Sequence, residues 1–209
     1  MSQVGKKFPD ISVNAMNEMA DTFKINVLQE ALENKKKIIL FWYPKDFTFV
    51  CPTEIHAFQS KLSEFEKRNT MVIGASCDTP EVHFAWLSTP KDNGGIEGVT
   101  FPLIADSTRH LSETLDILDT EYIGTEENYS IEGDNVSYRA TFLIDEEGTI
   151  FHESVNVMPL GRNVDEYLRL IDGYAHNQKH GEVCPANWEE GKEAMSESRE
   201  SVANYLSKH

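Results

Sequence analysis

The 209-residue chain is short of cysteine: it has three, and no two stand as C-x-x-C. A disulfide-stapled secreted scaffold is thereby excluded, and each cysteine must be weighed as a reactive thiol or a small core residue. Metal-ligand spacings are also missing, since the seven histidines form no H-E-x-x-H pattern and the pairs Cys51/His56 and Cys77/His83 make no ligand set. Long apolar runs are absent: nothing approaches the roughly 18 residues of a membrane span, and the first ten residues lack the apolar centre of a signal peptide. A cytoplasmic protein with no membrane association is expected. Bases are scarce, 19 against 35 acids for a formal net charge of −16, so the clustered cations that displace counterions from nucleic acid are lacking. Nucleic acid is not an expected partner. Internal repeats and low-complexity tracts are absent as well, and the sequon Asn128-Tyr129-Ser130 carries little weight without a secretory signal.

What remains suits a globular protein, with 40% hydrophobic residues in a length that supports one sizeable core. The run Ile38-Ile39-Leu40-Phe41-Trp42-Tyr43, stopped by Pro44, has the continuous apolar character of a strand buried on both faces. Pro52-Thr53-Glu54 opens a helix with Ile55, Phe58, Leu62 and Phe65 on one side. Met71 to Ser76 is a second buried strand, and Thr79-Pro80-Glu81 starts another helix. A Gly-rich loop from Lys91 to Gly98 precedes a third strand over Phe101 to Ala105 and a helix from Ser107 through Leu118. Thr120 to Gly133 is polar and is expected to be irregular. Val136 to Ile144 and Thr149 to Val155 flank Asp145-Glu146-Glu147-Gly148 as a hairpin. Asn163-x-x-Glu166 is a partial capping box for a helix ending near Gly173. This alternation predicts an α/β domain with helices over a central sheet. The polar, Ser-rich remainder reads as a tail, giving expected regions of 1–173 and 174–209.

Cys51 falls where a loop meets a helix, near the positive end of the helix dipole. An ordinary thiol with a pKa near 8.5 is only ~3% ionised at pH 7, and near-complete ionisation asks for roughly 3 kcal/mol, more than an exposed helix end supplies. A cation must contribute. Arg139, a charge inside the strand segment Tyr138-Arg139-Ala140-Thr141-Phe142, is the candidate, because a buried Arg needs an anionic partner. Thr48 adds a hydroxyl able to bond the thiolate or a substrate oxygen, and Pro44 fixes φ at the mouth of the loop. Taken singly, each residue has a plainer reading: an inert core thiol, or turn residues.

Together, Phe41-Trp42-Tyr43-Pro44-Lys45-Asp46-Phe47-Thr48-Phe49-Val50-Cys51-Pro52-Thr53-Glu54 resembles the active-site segment of the peroxiredoxins, whose signature is Pro-x-x-x-Thr-x-x-Cys. His180 to Trp188 resembles the resolving-cysteine motif of the typical two-cysteine class, Gly161-Arg162-Asn163-Val164-Asp165-Glu166 its Gly-Arg-Ser-Val-Asp-Glu helix start, and Tyr205-Leu206-Ser207-Lys208-His209 its C-terminal Tyr-Phe motif. The resemblance, to the alkyl hydroperoxide reductase C type, covers nearly the whole chain. It implies a thioredoxin-like fold, a mixed central sheet flanked by helices with a C-terminal arm. It implies a thiol peroxidase acting on hydrogen peroxide, alkyl hydroperoxides and peroxynitrite, with no bound cofactor. Cys51 matches the peroxidatic cysteine that becomes a sulfenic acid; Thr48 and Arg139 match the residues that hold the peroxide, and Pro44 the one that shields the nucleophile. Glu54 and Arg162 match residues orienting Arg139, although each is also an ordinary residue beside a helix start. Cys184 matches the resolving cysteine of the other subunit, which condenses with the sulfenic acid to a disulfide. A homodimer, five dimers forming a decamer, and recycling by thioredoxin or a flavoprotein disulfide reductase follow from the same likeness.

Two departures bear on peroxide sensitivity. The loop Gly94-Gly95-Ile96-Glu97-Gly98 carries Ile-Glu within what resembles a Gly-Gly-Leu-Gly motif, and Leu206 replaces an aromatic residue. In sensitive relatives these motifs pack together and slow the unfolding that Cys51 needs, so intermediate susceptibility to sulfinic over-oxidation is expected. Cys77 stands at a strand end and reads as a small core residue. A cysteine hydrolase would need a His and an orienting group that no motif places; an oligomeric holdase chaperone is a further, non-enzymatic alternative.

Overall fold

A computed structural model describes residues 2–125 and 128–208; Glu126 and Glu127 of the expected irregular stretch, and His209 of the C-terminal motif, lie outside the described residues. The chain divides into two units, Met1–Arg162 and Asn163–His209.

In the first unit the apolar run that stands out in the sequence becomes the middle of a sheet. Strand β3 (Lys37–Trp42) is buried along its whole length, which only a strand covered on both faces tolerates. It pairs in parallel with β4 (Thr70–Ser76) and antiparallel with β8 (Arg139–Ile144). β5 (Leu103–Ala105) continues the parallel side, and β9 (Ile150–Asn156) closes the other edge. Two strands that the apolar pattern leaves unmarked, β1 (Ser12–Met16) and β2 (Thr22–Asn26), complete a seven-stranded mixed sheet in the order β2-β1-β5-β4-β3-β8-β9. On the face of Ile38, Leu40 and Trp42 the core takes in Val27 and Ala31 of α1 (Val27–Asn34). On the other face Phe41 stacks on Phe58 of α2 (Cys51–Ser60) at 3.9 Å, and Phe58 meets Phe65 of α3 (Leu62–Lys67) at 6.1 Å. Each such ring contributes roughly 1.5–3 kcal/mol of burial. α4 (Pro80–Leu87) packs on β1 and β5.

Several expected elements take a different form. The helix opened by Pro52 is interrupted at Lys61, whose φ of −105° and ψ of 6° leave the helical region. The helix expected from Ser107 to Leu118 shrinks to α5 (His110–Thr114), since Arg109 and Asp116, at φ 62° and 59°, adopt left-handed backbone at either side. The polar stretch after Thr120 is no irregular connection: Glu121–Thr125 (β6) and Asn128–Glu132 (β7) pair as an antiparallel ribbon. Period-two alternation places Tyr122, Tyr129 and Ile131 on one face of it, a signal that its high overall polarity conceals. The β8–β9 hairpin forms as expected, with Gly148 at φ 75° where a side chain would collide with Leu28.

In the second unit, α6 (Val164–His180) begins at its Asn163 cap and passes through Gly173, where the sequence suggests an end. It stops instead at Gly181, whose left-handed φ of 67° caps the helix through a bond from its N–H to Asn177 O. The tail is not wholly irregular either, because Arg199–Lys208 form α7.

The loop after β3 is tied to the first unit by a buried pair. Asp46 Oδ2 lies 2.7 Å from His83 Nδ1 on α4, with both side chains fully enclosed. His83 Nε2 faces the carbonyl of Ile104 at 3.1 Å, so that nitrogen carries a proton. Burial works against a charged imidazole here, but the hydrogen bond and charge of Asp46 outweigh it and hold His83 above the ordinary histidine range. Burial likewise raises the Asp46 carboxyl, against the pull of His83. Both shifts favour the protonated pair in the folded chain. The stability that His83 contributes is therefore complete below its unfolded value of about 6.5 and is lost as pH rises through its elevated folded value. Thermal unfolding should show Tm falling as pH increases above about 6, and Asp46→Asn with His83→Gln should flatten that slope; an unchanged slope in the double variant would refute the assignment.

Candidate active site

Trp42 ends β3, and Arg139 begins β8. Because these strands run antiparallel, with Leu40 opposite Phe142 and Phe41 opposite Thr141, the start of β8 lies at the carboxyl end of β3. β9 runs back along β8 with Asn156 opposite Arg139, and so delivers the segment 157–162 to the same end. This is the end of an open α/β sheet at which ligands are bound.

Residues 43–50 lead from β3 into α2, whose first residue is Cys51, with Pro52 beside it in the first turn. Phe47 takes a left-handed φ of 54°, and that bend brings Thr48 back towards Cys51. Thr48 Oγ1 stands 3.0 Å from Cys51 Sγ and 2.9 Å from Lys45 O. A hydroxyl has one hydrogen, so it donates to the carbonyl or to the sulfur, and its lone pairs stay available to a second donor. Arg139 Nη1 is 3.3 Å from the same sulfur.

Arg139 is held on three sides. Nε donates to Met158 O at 2.5 Å, and Nη1 reaches Glu54 Oε2 at 2.7 Å as well as the sulfur. Glu54, one turn into α2 from Cys51, accepts from Arg162 as well: Oε1 from the backbone N–H at 2.9 Å and from Nε at 2.8 Å, Oε2 from Nη2 at 2.8 Å. Arg162 Nη1 is satisfied by Trp42 O, Ala140 O and Thr141 Oγ1, and its guanidinium lies 5.2 Å from the Phe41 ring centre. All three side chains are almost wholly shielded from solvent, and the side chain of Arg162 is only 1% exposed. Two guanidiniums and one carboxylate leave a surplus positive charge, which an anion at Cys51 would neutralise.

An open cavity of about 480 Å³ lies above this group. Pro44, Phe49, Val50, Val136, Met158 and Pro159 give it apolar walls, while Thr48 and Arg139 bring its polar floor to the sulfur. Cys51 itself is fully buried, so reagents reach it by way of those two residues. The site expected from sequence thus comes together in the first unit at Pro44, Thr48, Cys51, Glu54, Arg139 and Arg162. Cys184 belongs to the second unit, where it stands free and donates to Gly173 O at 3.6 Å. Burial pushes its thiol up, opposed by the charge of Arg169 and aided by Glu182. Cys77 joins the apolar core, 3.7 Å from Ser112 Oγ, and burial raises its thiol too.

Sequence reasoning passed over three contributors. Asp46 lies within the quoted motif, but its partner His83 is 37 positions away and nothing local marks the pair. Met158 and Val136 look like ordinary apolar residues; one orients Arg139 through a backbone carbonyl, and both form the cavity wall.

Comparison with known proteins accords with this geometry. The AhpC/TSA family profile matches residues 4–153, and the profile of the C-terminal domain of 1-Cys peroxiredoxin matches residues 174–208, a segment that here contains Cys184. Alkyl hydroperoxide reductase C of Helicobacter pylori is 43% identical over 206 residues, covering 97% of this chain and 96% of that protein. Peroxiredoxin-1 of Gekko japonicus is 41% identical over 207 residues, covering 99% and 96%. The crystal structure of reduced Plasmodium vivax 2-Cys peroxiredoxin superposes with a TM-score of 0.88 at 40% identity, covering 99% of this chain and all of that one. With the buried cysteine, its threonine and its paired arginines in place, and with likeness extending from end to end, the chain belongs to the AhpC/TSA family as a peroxiredoxin of the alkyl hydroperoxide reductase C type.

Proposed function

We propose that this peroxiredoxin, a thiol-dependent peroxidase, reduces hydrogen peroxide and alkyl hydroperoxides through Cys51 and resolves the product with Cys184 of the partner subunit. The observation that carries the reading is the contact of one sulfur with both Thr48 Oγ1 and Arg139 Nη1, backed by the buried Glu54–Arg162 pair. The Cys51 thiolate attacks one peroxide oxygen, and the O–O bond breaks. The attacked oxygen stays on sulfur as a sulfenic acid, and the other leaves as water or an alcohol after taking a proton. Negative charge grows on the leaving oxygen, where Thr48 and Arg139 supply donors that are already oriented. Pro44 and the apolar walls exclude water and suit the alkyl group of an organic hydroperoxide. The substrate is neutral, so the acidic surface neither steers nor repels it.

The sulfenic acid is then trapped by Cys184 as a disulfide, which thioredoxin or a flavoprotein disulfide reductase reduces. In this reading residues 1–173 form the peroxidase domain and 174–209 the arm that crosses to the partner within a homodimer, five dimers making a decamer. The location is the cytoplasm, whose reducing thiols suit the cycle; no helix among the described residues is long and apolar enough to cross a membrane.

Non-reducing electrophoresis after one equivalent of peroxide should show a linked dimer in the wild type and none in Cys51→Ser or Cys184→Ser. An intrachain disulfide would contradict the crossing of subunits. Glu54→Gln should lower the second-order rate with peroxide on the order of 10²-fold, by releasing Arg139 from its orientation, and should destabilise the fold by about 3–5 kcal/mol because two buried guanidiniums lose their carboxylate. Stopped-flow kinetics and denaturant unfolding measure the two effects, and wild-type values in both would overturn the role given to Glu54. Mass analysis of Cys51 across a peroxide titration should show sulfinic acid at an intermediate excess; none at large excess would contradict the expected partial lock involving Leu206.

A further inference from the structure

Helix α6 keeps a stripe of residues against the segment that follows it. Gly181 turns the chain back, and residues 182–188 then retrace the helix towards its start. Asn177 Nδ2 donates to Glu182 O at 2.8 Å, and His176 Nε2 lies 2.8 Å from the Glu182 carboxylate. One turn earlier, Gly173 O accepts from Cys184 Sγ, and a turn before that, Arg169 Nη1 donates to Trp188 O at 3.2 Å. Arg169, Gly173, His176 and Asn177 are three to four positions apart and share a face. The His176 ring also lies 4.9 Å from that of Trp188. A Cβ at Gly173 would sit 3.7 Å from Cys184 Sγ and 3.8 Å from the Trp188 ring, so thiol and indole pack on the same bare turn of helix.

Cys184 is unbonded to any other sulfur, and its S–H is engaged with its own helix. A disulfide requires that sulfur to leave Gly173. We propose that the α6 stripe is a clasp that parks Cys184, and that His176 and Asn177 are positioning residues whose release sets the rate at which the thiol becomes available. The inference rests on the reading of Cys184 as resolving cysteine. In that step the Cys184 sulfur attacks the Cys51 sulfenic sulfur, the S–S bond forms, and the sulfenic oxygen departs as hydroxide, which takes up the thiol proton as water. While the clasp is closed, the sulfenic acid remains open to a second peroxide. Release of the thiol and over-oxidation of Cys51 are therefore in competition.

The test uses the full chain carrying Cys51→Ser and Cys77→Ala, so that Cys184 is the sole thiol and its alkylation by iodoacetamide reports clasp opening without any peroxide chemistry. His176→Ala with Asn177→Ala should raise the alkylation rate about 10-fold, as expected for the loss of two hydrogen bonds, with the melting temperature nearly unchanged. His176→Gln, which keeps an N–H donor, should return most of the way to the parent rate. In chains that retain all three cysteines, the same alanine pair should accelerate disulfide formation after peroxide and reduce sulfinic Cys51. Asn177→Ala alone should show the same direction at smaller size, and it decides the matter if the double variant does not fold. Equal alkylation rates in all variants, or slower disulfide formation in the alanine variants, would overturn the clasp. Failure of the wild type to form any Cys51–Cys184 disulfide would instead overturn the resolving role, and the alkylation series would still decide whether the thiol is parked.

Discussion

Everything at the candidate site depends on keeping two arginines and a glutamate out of water. A buried guanidinium is tolerated only when its charge and its donors are met, and a chain that failed to meet them would lose several kcal/mol. Here Glu54 uses both oxygens on Arg162 and Arg139, Arg162 spends its other donors on Trp42 O, Ala140 O and Thr141 Oγ1, and Met158 O takes Arg139 Nε. These bonds span the end of β3, the start of β8, the first turn of α2 and the segment after β9. The arrangement is thus a structural knot and a chemical device at once: with its internal charges paired, one positive charge is left over, and it faces Cys51.

Around that knot the chain separates what must stay rigid from what must move. The sheet beneath is fully buried at β3 and β8, and close-packed interiors of this kind do not deform gradually. The loop above it is held by single connections: the Asp46–His83 pair, the Thr48 hydroxyl and a strained Phe47. Phe49, at 92% exposure, adds almost no burial to hold it. Segments with few buried contacts open at low cost, and a peroxidatic sulfur that must later meet another thiol needs such a segment. The resolving cysteine is treated alike, being fastened by a few polar bonds to α6 and not by a core.

Much of this was legible in the residues. Unbroken apolar runs at Ile38–Tyr43 and Met71–Ser76 announced the sheet interior, and Arg139 stood out as a charge within a strand. Pro44, Thr48 and Cys51 lie within eight positions, so local spacing alone could group them. Legibility failed where the signal was weak or opposed. β1 and β2 carry too few large apolar residues to show a period, the acid-rich β6–β7 ribbon hides its apolar face, and Gly173 imitates a helix end although its missing side chain is where Cys184 packs.

The sequence by itself determined the nucleophile, its helix-start position and the chemistry available to it, because those follow from residue type and short-range spacing. It also determined that a buried arginine would need an anion. Only the tertiary structure decided which anions: Glu54 and Cys51, 85 and 88 positions from Arg139, and Asp46 for His83, 37 positions away. Such pairings depend on strand register and on how the chain crosses the sheet. Neither leaves a local trace in the order of the residues, so contacts between distant charges become visible only when the whole chain is folded.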